Sequence, residues 1–124
     1  MNHLSYTREK VDVGFDQFIG FCLAIDGKKL LFDGFTFIDC WTVKNWTENR
    51  VIVNMCTCSY WECDSVIAEV KQHDNFIIWE LKGYRTGEDY GEFKFEKDNY
   101  CKVIHEIQRI AAAERNEPVE IFQP

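Results

Sequence analysis

The chain has 124 residues, 46% apolar and 28% charged, which suits one domain around one hydrophobic core and excludes a disordered or low-complexity protein. Its formal charge is −7, from 21 acidic and 14 basic residues, so nucleic acid and anionic membrane surfaces are disfavoured as partners and a cationic protein is favoured. Met1 to Lys10 contains no apolar stretch of signal-peptide type, and no segment approaches the ~20 apolar residues of a membrane span. Together these predict a cytoplasmic protein whose six cysteines are reduced.

In chain order, Met1 to Lys10 reads as a polar lead. Phe18 to Ile25 reads as a strand with both faces apolar, and Asp26-Gly27 suits the positive-φ positions of a type I′ hairpin turn. Lys29 to Phe32 is the expected return strand, ended by a second Asp-Gly at Asp33-Gly34. Phe35 to Val43 is β-prone without an obvious pairing partner, and Asn45 to Asn49 reads as a loop. Trp41 and Trp46 would form a self-association surface if both were exposed.

Arg50 to Cys58 is a strong strand. In Ser65 to Gln72, Val66, Ala68 and Val70 fall on one face and Ser65, Glu69 and Lys71 on the other, the alternation of a half-buried strand. His73 to Asn75 is a turn, and Phe76 to Leu81 returns as the hairpin partner. Gly83 to Gly91 is charged and glycine-rich, which predicts a mobile loop; Phe93 and Phe95 mark a short edge strand. Tyr100, Val103, Ile104, Ile107, Ile110 and Ala111 then recur at helical spacing, with Asp98 or Asn99 as cap and Asn116 and Pro118 as stop. A single amphipathic helix must bury its stripe on the sheet. The fold expected is α+β: an antiparallel β-sheet meander followed by one C-terminal amphipathic helix packed on the sheet.

Chemistry-bearing residues are densest at Cys56-Thr57-Cys58-Ser59-Tyr60-Trp61-Glu62-Cys63. Three thiols in eight residues could ligate zinc with His73 as a fourth ligand. Structural zinc sites prefer two C-x₂₋₄-C pairs, whereas here there is one C-x-C, and ordinary packing of free cysteines is the simpler account. Glu62 and Asp64 should raise the pKa of Cys58 and Cys63 and discourage nucleophilic chemistry there. His3, His73 and His105 are far apart, and no phosphate-binding, metalloprotease or serine-hydrolase motif is present. The chain therefore reads as a binding protein, not an enzyme, with no cofactor called for.

Acidic residues gather at Glu88, Asp89, Glu92, Glu96 and Asp98, across a loop, an edge strand and a helix start. Such charges protect an edge strand and favour a helix N-terminus, and they also form a surface for a basic partner.

The cysteine run closing a hydrophobic strand, the Val-rich strand after it, the strand carrying Trp79, Phe93-x-Phe95 and the helix opened by Tyr100 resemble a family of small bacterial proteins of unknown function. That family carries C-x-C-G-x-x-G-C at the same place. The likeness spans about residues 50–110 and keeps the cysteine spacing, departing at Ser59 and Glu62, where the family has glycine. Its members look like accessory proteins encoded beside bacterial toxins. The family has no known activity to carry over; small size, net acidity, surplus aromatics and the lack of a catalytic constellation are what point to an immunity protein that neutralises a basic toxin domain. Its contact surface would be Tyr84, Glu88, Asp89, Tyr90 and Glu92, with Trp61 as an aromatic anchor.

Overall fold

The computed structural model describes residues 1–13, 16–32, 34–56, 58 and 62–119. Within them the chain is α+β, with a three-stranded and a four-stranded antiparallel sheet and a long C-terminal helix packed against them. The three-stranded sheet is β1 (Leu4–Val13), β2 (Asp16–Ile25) and β3 (Lys28–Lys29), in that order. After the short helix α1 (Cys40–Val43) come β4 (Arg50–Met55), β5 (Ser65–Gln72), β6 (Phe76–Gly83) and β7 (Asp89–Glu96), each paired with the next. Helix α2 (Lys97–Glu114) follows.

The meander, the alternating strand at Ser65–Gln72 and the amphipathic helix are as the periodicity predicts. Val66, Ala68 and Val70 are buried, as are Tyr100, Val103, Ile104, Ile107 and Ala111 along α2. The Asp26-Gly27 turn has φ of +54° and +78°, the left-handed pair that a two-residue hairpin needs. Asn116, at φ +55°, ends α2: its N–H donates to the Ala113 carbonyl and the Glu117 N–H to Ala112, a Schellman closure.

Four expectations are corrected. The polar lead is a strand: β1 pairs with β2 along its whole length, from Leu4↔Ile25 to Val13↔Asp16. Its polar side chains serve as cover. The Arg8 guanidinium lies 3.9 Å from the centre of the Phe21 ring, and its head pairs with Glu114 on α2. The return strand is only two residues long. Beyond it the chain folds into a second tight turn in which Phe32 and Phe35 exchange backbone hydrogen bonds; Asp33 lies outside the described residues. Phe35 to Val43 becomes a connector and a single helical turn, because the Asp39 carboxylate caps the Thr42 N–H at 2.7 Å.

The fourth correction concerns the start of α2. Neither Asp98 nor Asn99 caps it; the N-cap is Glu96, without a side-chain hydrogen bond. The Asn99 carboxamide is used elsewhere, accepting the Leu4 N–H at 2.8 Å and donating to the Leu4 carbonyl at 3.0 Å. An amide side chain thus makes both hydrogen bonds a neighbouring strand residue would make. Helix and first strand are locked by it.

Isolated bridges join the two sheets at both margins: Phe21↔Ile38 with Met55 N–H to Phe37 carbonyl on one side, Asn2↔Phe95 on the other. Inside lies an aromatic cluster. Trp79 on β6 meets Phe95 on β7 edge-on at 5.1 Å and Tyr100 on α2 at 5.8 Å, and its indole N–H donates to the Tyr100 hydroxyl at 3.2 Å. All three are fully buried. Asn54, also fully buried at a bulge in β4, donates from Nδ2 to the Leu30 and Phe35 carbonyls at 3.0 Å each. That pair of bonds fixes the 30–35 turn to the larger sheet.

Candidate functional site: the thiol and acidic rim of the four-stranded sheet

In a meander every second connection lies at the same end of the sheet. The β4–β5 connection and the β6–β7 hairpin are therefore neighbours, and the Tyr84 N–H donates to the Ser65 carbonyl at 2.8 Å to join them. The first carries Cys56, Cys58, Glu62, Cys63 and Asp64; the second carries Tyr84, Arg85, Glu88, Asp89 and Tyr90. Two features that look separate in the sequence share one rim.

On the β4–β5 side, the Cys56 N–H donates to the Asp64 carbonyl at 2.9 Å, closing the connection where the β4–β5 ladder ends. The Sγ atoms of Cys56, Cys58 and Cys63 lie within 4.8 Å of one another, with Cys58 and Cys63 exposed and Cys56 half-buried. The Cys56 thiol lies below its ordinary pKa, chiefly because the Cys58 N–H, and then the Cys58 side chain, hydrogen-bond to its sulfur; these outweigh burial and Asp64. Cys63 is pushed up to about 11, first by its hydrogen bond to Cys58 and then by that to Cys56. Cys63 is thus raised as expected, but by the neighbouring thiols and not by Glu62 and Asp64, while at Cys56 a backbone N–H aimed at sulfur outweighs the Asp64 carboxylate.

The remaining cysteines behave as core residues. Cys22 is pushed up to about 11, first by burial and then by Glu9, and burial likewise raises Cys40 and Cys101. Cys40 borders a groove of about 450 Å³ that also includes Phe18, Ile19, Trp41 and Glu114. Trp41 is exposed there, while Trp46 is buried with its indole N–H donated to the Ile52 carbonyl at 3.0 Å. The two indoles do not form a joint surface.

His73 is not part of the thiol cluster. It sits at the opposite end of β5, which spans 8 residues, roughly 25 Å of strand, and its ring stacks on Phe76 at 4.5 Å. The order of a meander already excludes it as a ligand to cysteines at the other end.

On the hairpin side, the expected loop from Gly83 to Gly91 is the end of β6, a hydrogen-bonded turn from Tyr84 to Glu88, and the start of β7. The Gly83 N–H donates to the Glu88 carbonyl at 2.8 Å, and the Gly87 N–H to the Gly83 carbonyl at 2.9 Å. Tyr84, Glu88 and Asp89 are exposed. Tyr90 is half-buried, its ring 4.5 Å from that of Phe32 and its hydroxyl donated to Glu88 at 3.1 Å. The Asp89 carboxylate accepts the Gly91 N–H at 2.8 Å. Four of the predicted contact residues are thus brought together.

Glu92 stands apart on the outer sheet face. Strand register places Glu69, Glu80 and Glu92 side by side on β5, β6 and β7. Lys71 answers Glu80 at 2.6 Å and Lys82 answers Glu69 at 3.3 Å, whereas Glu92 has no ion pair among the described residues. Trp61 lies outside the described residues. Arg85, exposed on the same turn, belongs to the rim although the sequence reading passes over it; its place between Tyr84 and Glu88 was the available signal.

Comparison with protein-family models, with curated proteins and with solved structures finds no match to this chain. Among the described residues, no helix is long and apolar enough to cross a membrane.

Proposed function

We propose that the protein is a non-catalytic binding protein of the bacterial cytoplasm, an immunity protein that neutralises a basic toxin domain through this rim. The observation that carries the reading is the convergence of Tyr84, Glu88, Asp89 and Tyr90 on one ordered hairpin. Carboxylates with an exposed aromatic ring beside them suit a cationic partner: the charges speed encounter, and the ring supplies contact area at little cost in conformational entropy. The turn is already hydrogen-bonded before any partner arrives, so little ordering is left to oppose association. On the outer face of the sheet Glu92 adds one further negative charge, since Glu80 and Glu69 beside it are paired with Lys71 and Lys82.

The test is co-expression with the protein encoded immediately upstream, followed by pull-down and mass determination. A one-to-one complex with a basic toxin domain is the expected result. Alanine at Tyr84, Glu88 and Asp89 together should weaken it by roughly 100-fold, with the fold retained at a stability loss of about 1–2 kcal/mol from the Glu88–Tyr90 and Asp89–Gly91 hydrogen bonds. Undiminished affinity in that variant would place the interface elsewhere, and an empty pull-down would remove the immunity reading.

A further inference from the structure

We propose that Cys56, Cys58 and Cys63 together bind one zinc(II) ion as three thiolates. The three Sγ atoms lie within 4.8 Å of one another. A tetrahedral zinc with bonds of about 2.3 Å holds its sulfurs about 3.8 Å apart, so closing onto the ion asks for movements of about 1 Å or less. The Cys56 N–H to Asp64 carbonyl bond fixes the two ends of the connection, next to Cys56 and Cys63. Cys58 and Cys63 are exposed, which gives the ion a way in.

Charge supports a cation. No lysine or arginine occurs from Cys56 to Ser65, while Glu62 and Asp64 flank Cys63. Ligand type narrows it further: clustered thiolates select thiophilic ions, and hard cations such as magnesium or calcium take oxygen ligands. The imidazole of His73 is at the far end of the sheet, so the chain's described residues supply three sulfurs and the fourth position falls to solvent. A bound ion would tie the β4–β5 connection beside the β6–β7 hairpin. The inference stands independently of the partner proposed above.

The experiment is zinc titration of the full chain under reducing conditions, with metal content measured after gel filtration and cobalt(II) used as a spectroscopic substitute. One equivalent of zinc, and an intense sulfur-to-cobalt charge-transfer band, are expected. Cys58→Ser and Cys63→Ser should each weaken binding by more than roughly 100-fold, since even supporting groups around a metal cost 10- to 100-fold. Should either variant fold poorly, alkylation of the native chain decides: one equivalent of zinc should shield Cys56, Cys58 and Cys63 and leave the labelling of Cys40 unchanged. Less than about a tenth of an equivalent bound, thiols alkylated equally with and without zinc, or binding retained in the C58S/C63S double variant would each overturn the proposal.

Discussion

The two ends of the four-stranded sheet are built differently. At one end, the β5–β6 turn, the start of α2 and the N-terminal residues are tied together through backbone and buried groups. The Lys97 N–H donates to the Asn75 carbonyl, the Asn2 N–H to the Lys94 carbonyl at 2.7 Å, and Asn99 holds Leu4 by both of its backbone groups. Even the charged Lys94 is folded down, its ammonium 3.8 Å from the centre of the Phe76 ring. At the other end the two connections meet, among the described residues, through one backbone bond beyond the strand ladders, and the groups on display are thiols, carboxylates, an exposed tyrosine and Arg85. Residues that the fold consumes lie at the first end. Residues that the fold leaves available lie at the second, and there both proposals are placed.

That contrast can be broken by mutation. The largest effect should come from the aromatic cluster beneath the tied end. Tyr100→Ala is expected to cost about 3–5 kcal/mol, by cavity formation plus the stranded indole N–H of Trp79, and Tyr100→Phe about 1–3 kcal/mol from the lost hydrogen bond. Urea midpoints at constant slope would measure both. A loss below about 1 kcal/mol for the alanine variant would mean that helix and sheet are not one cooperative unit.

Asn99→Ala is expected to cost about 1–3 kcal/mol, since it leaves the Leu4 N–H and carbonyl without their partner. Amide exchange should show faster opening at Leu4 and unchanged protection in β5. Uniform loss of protection would instead show that the seam and the sheet unfold together.

The smallest effect is a pH response at the same seam. Asp26 lies below the usual carboxylate range, first because the Asn2 side-chain amide donates to it at 2.7 Å and then because the His3 N–H does. A depressed carboxylate stabilises the fold above the ordinary aspartate range, and that contribution disappears as pH falls through the lowered value. Acidification should therefore loosen the amides of Asn2 and His3 before the core strands respond, and Asp26→Asn should flatten that local response. A seam that stays closed in acid would assign its order to Asn99 and to the Asn2–Lys94 hydrogen bonds.

Much of this architecture can be read in the residues, and the failures have physical causes. Strands β5 and β6 and helix α2 announce themselves because each buries one regular face. β1 hides because its side chains are polar: Tyr6 and Arg8 reach Glu106 and Glu114 on the helix, contacts 100 and 106 residues distant in sequence that no local pattern reports. Asn99 reads as a cap and serves as a bridge for the same reason. At the rim, the cysteines can be counted in the sequence but their mutual distances cannot. The exclusion of His73, by contrast, follows from the meander order alone.

The bridges at the sheet margins have a consequence for solution behaviour. β4 is flanked by the 37–38 segment, β7 by Asn2, and the outer edge of β1 by Leu4–Asn99 and the side chains reaching α2. A chain this rich in strand and aromatic residues would ordinarily offer open edges on which a second molecule could continue the ladder. Here each edge is met at one or two points, by Phe37 on β4, Asn2 on β7 and Asn99 on β1, which interrupts the run on which strand-by-strand growth would begin. Nicking the chain after His3 would expose the β7 edge at Lys94 and Phe95, and turbidity on mild heating should then appear well before global unfolding.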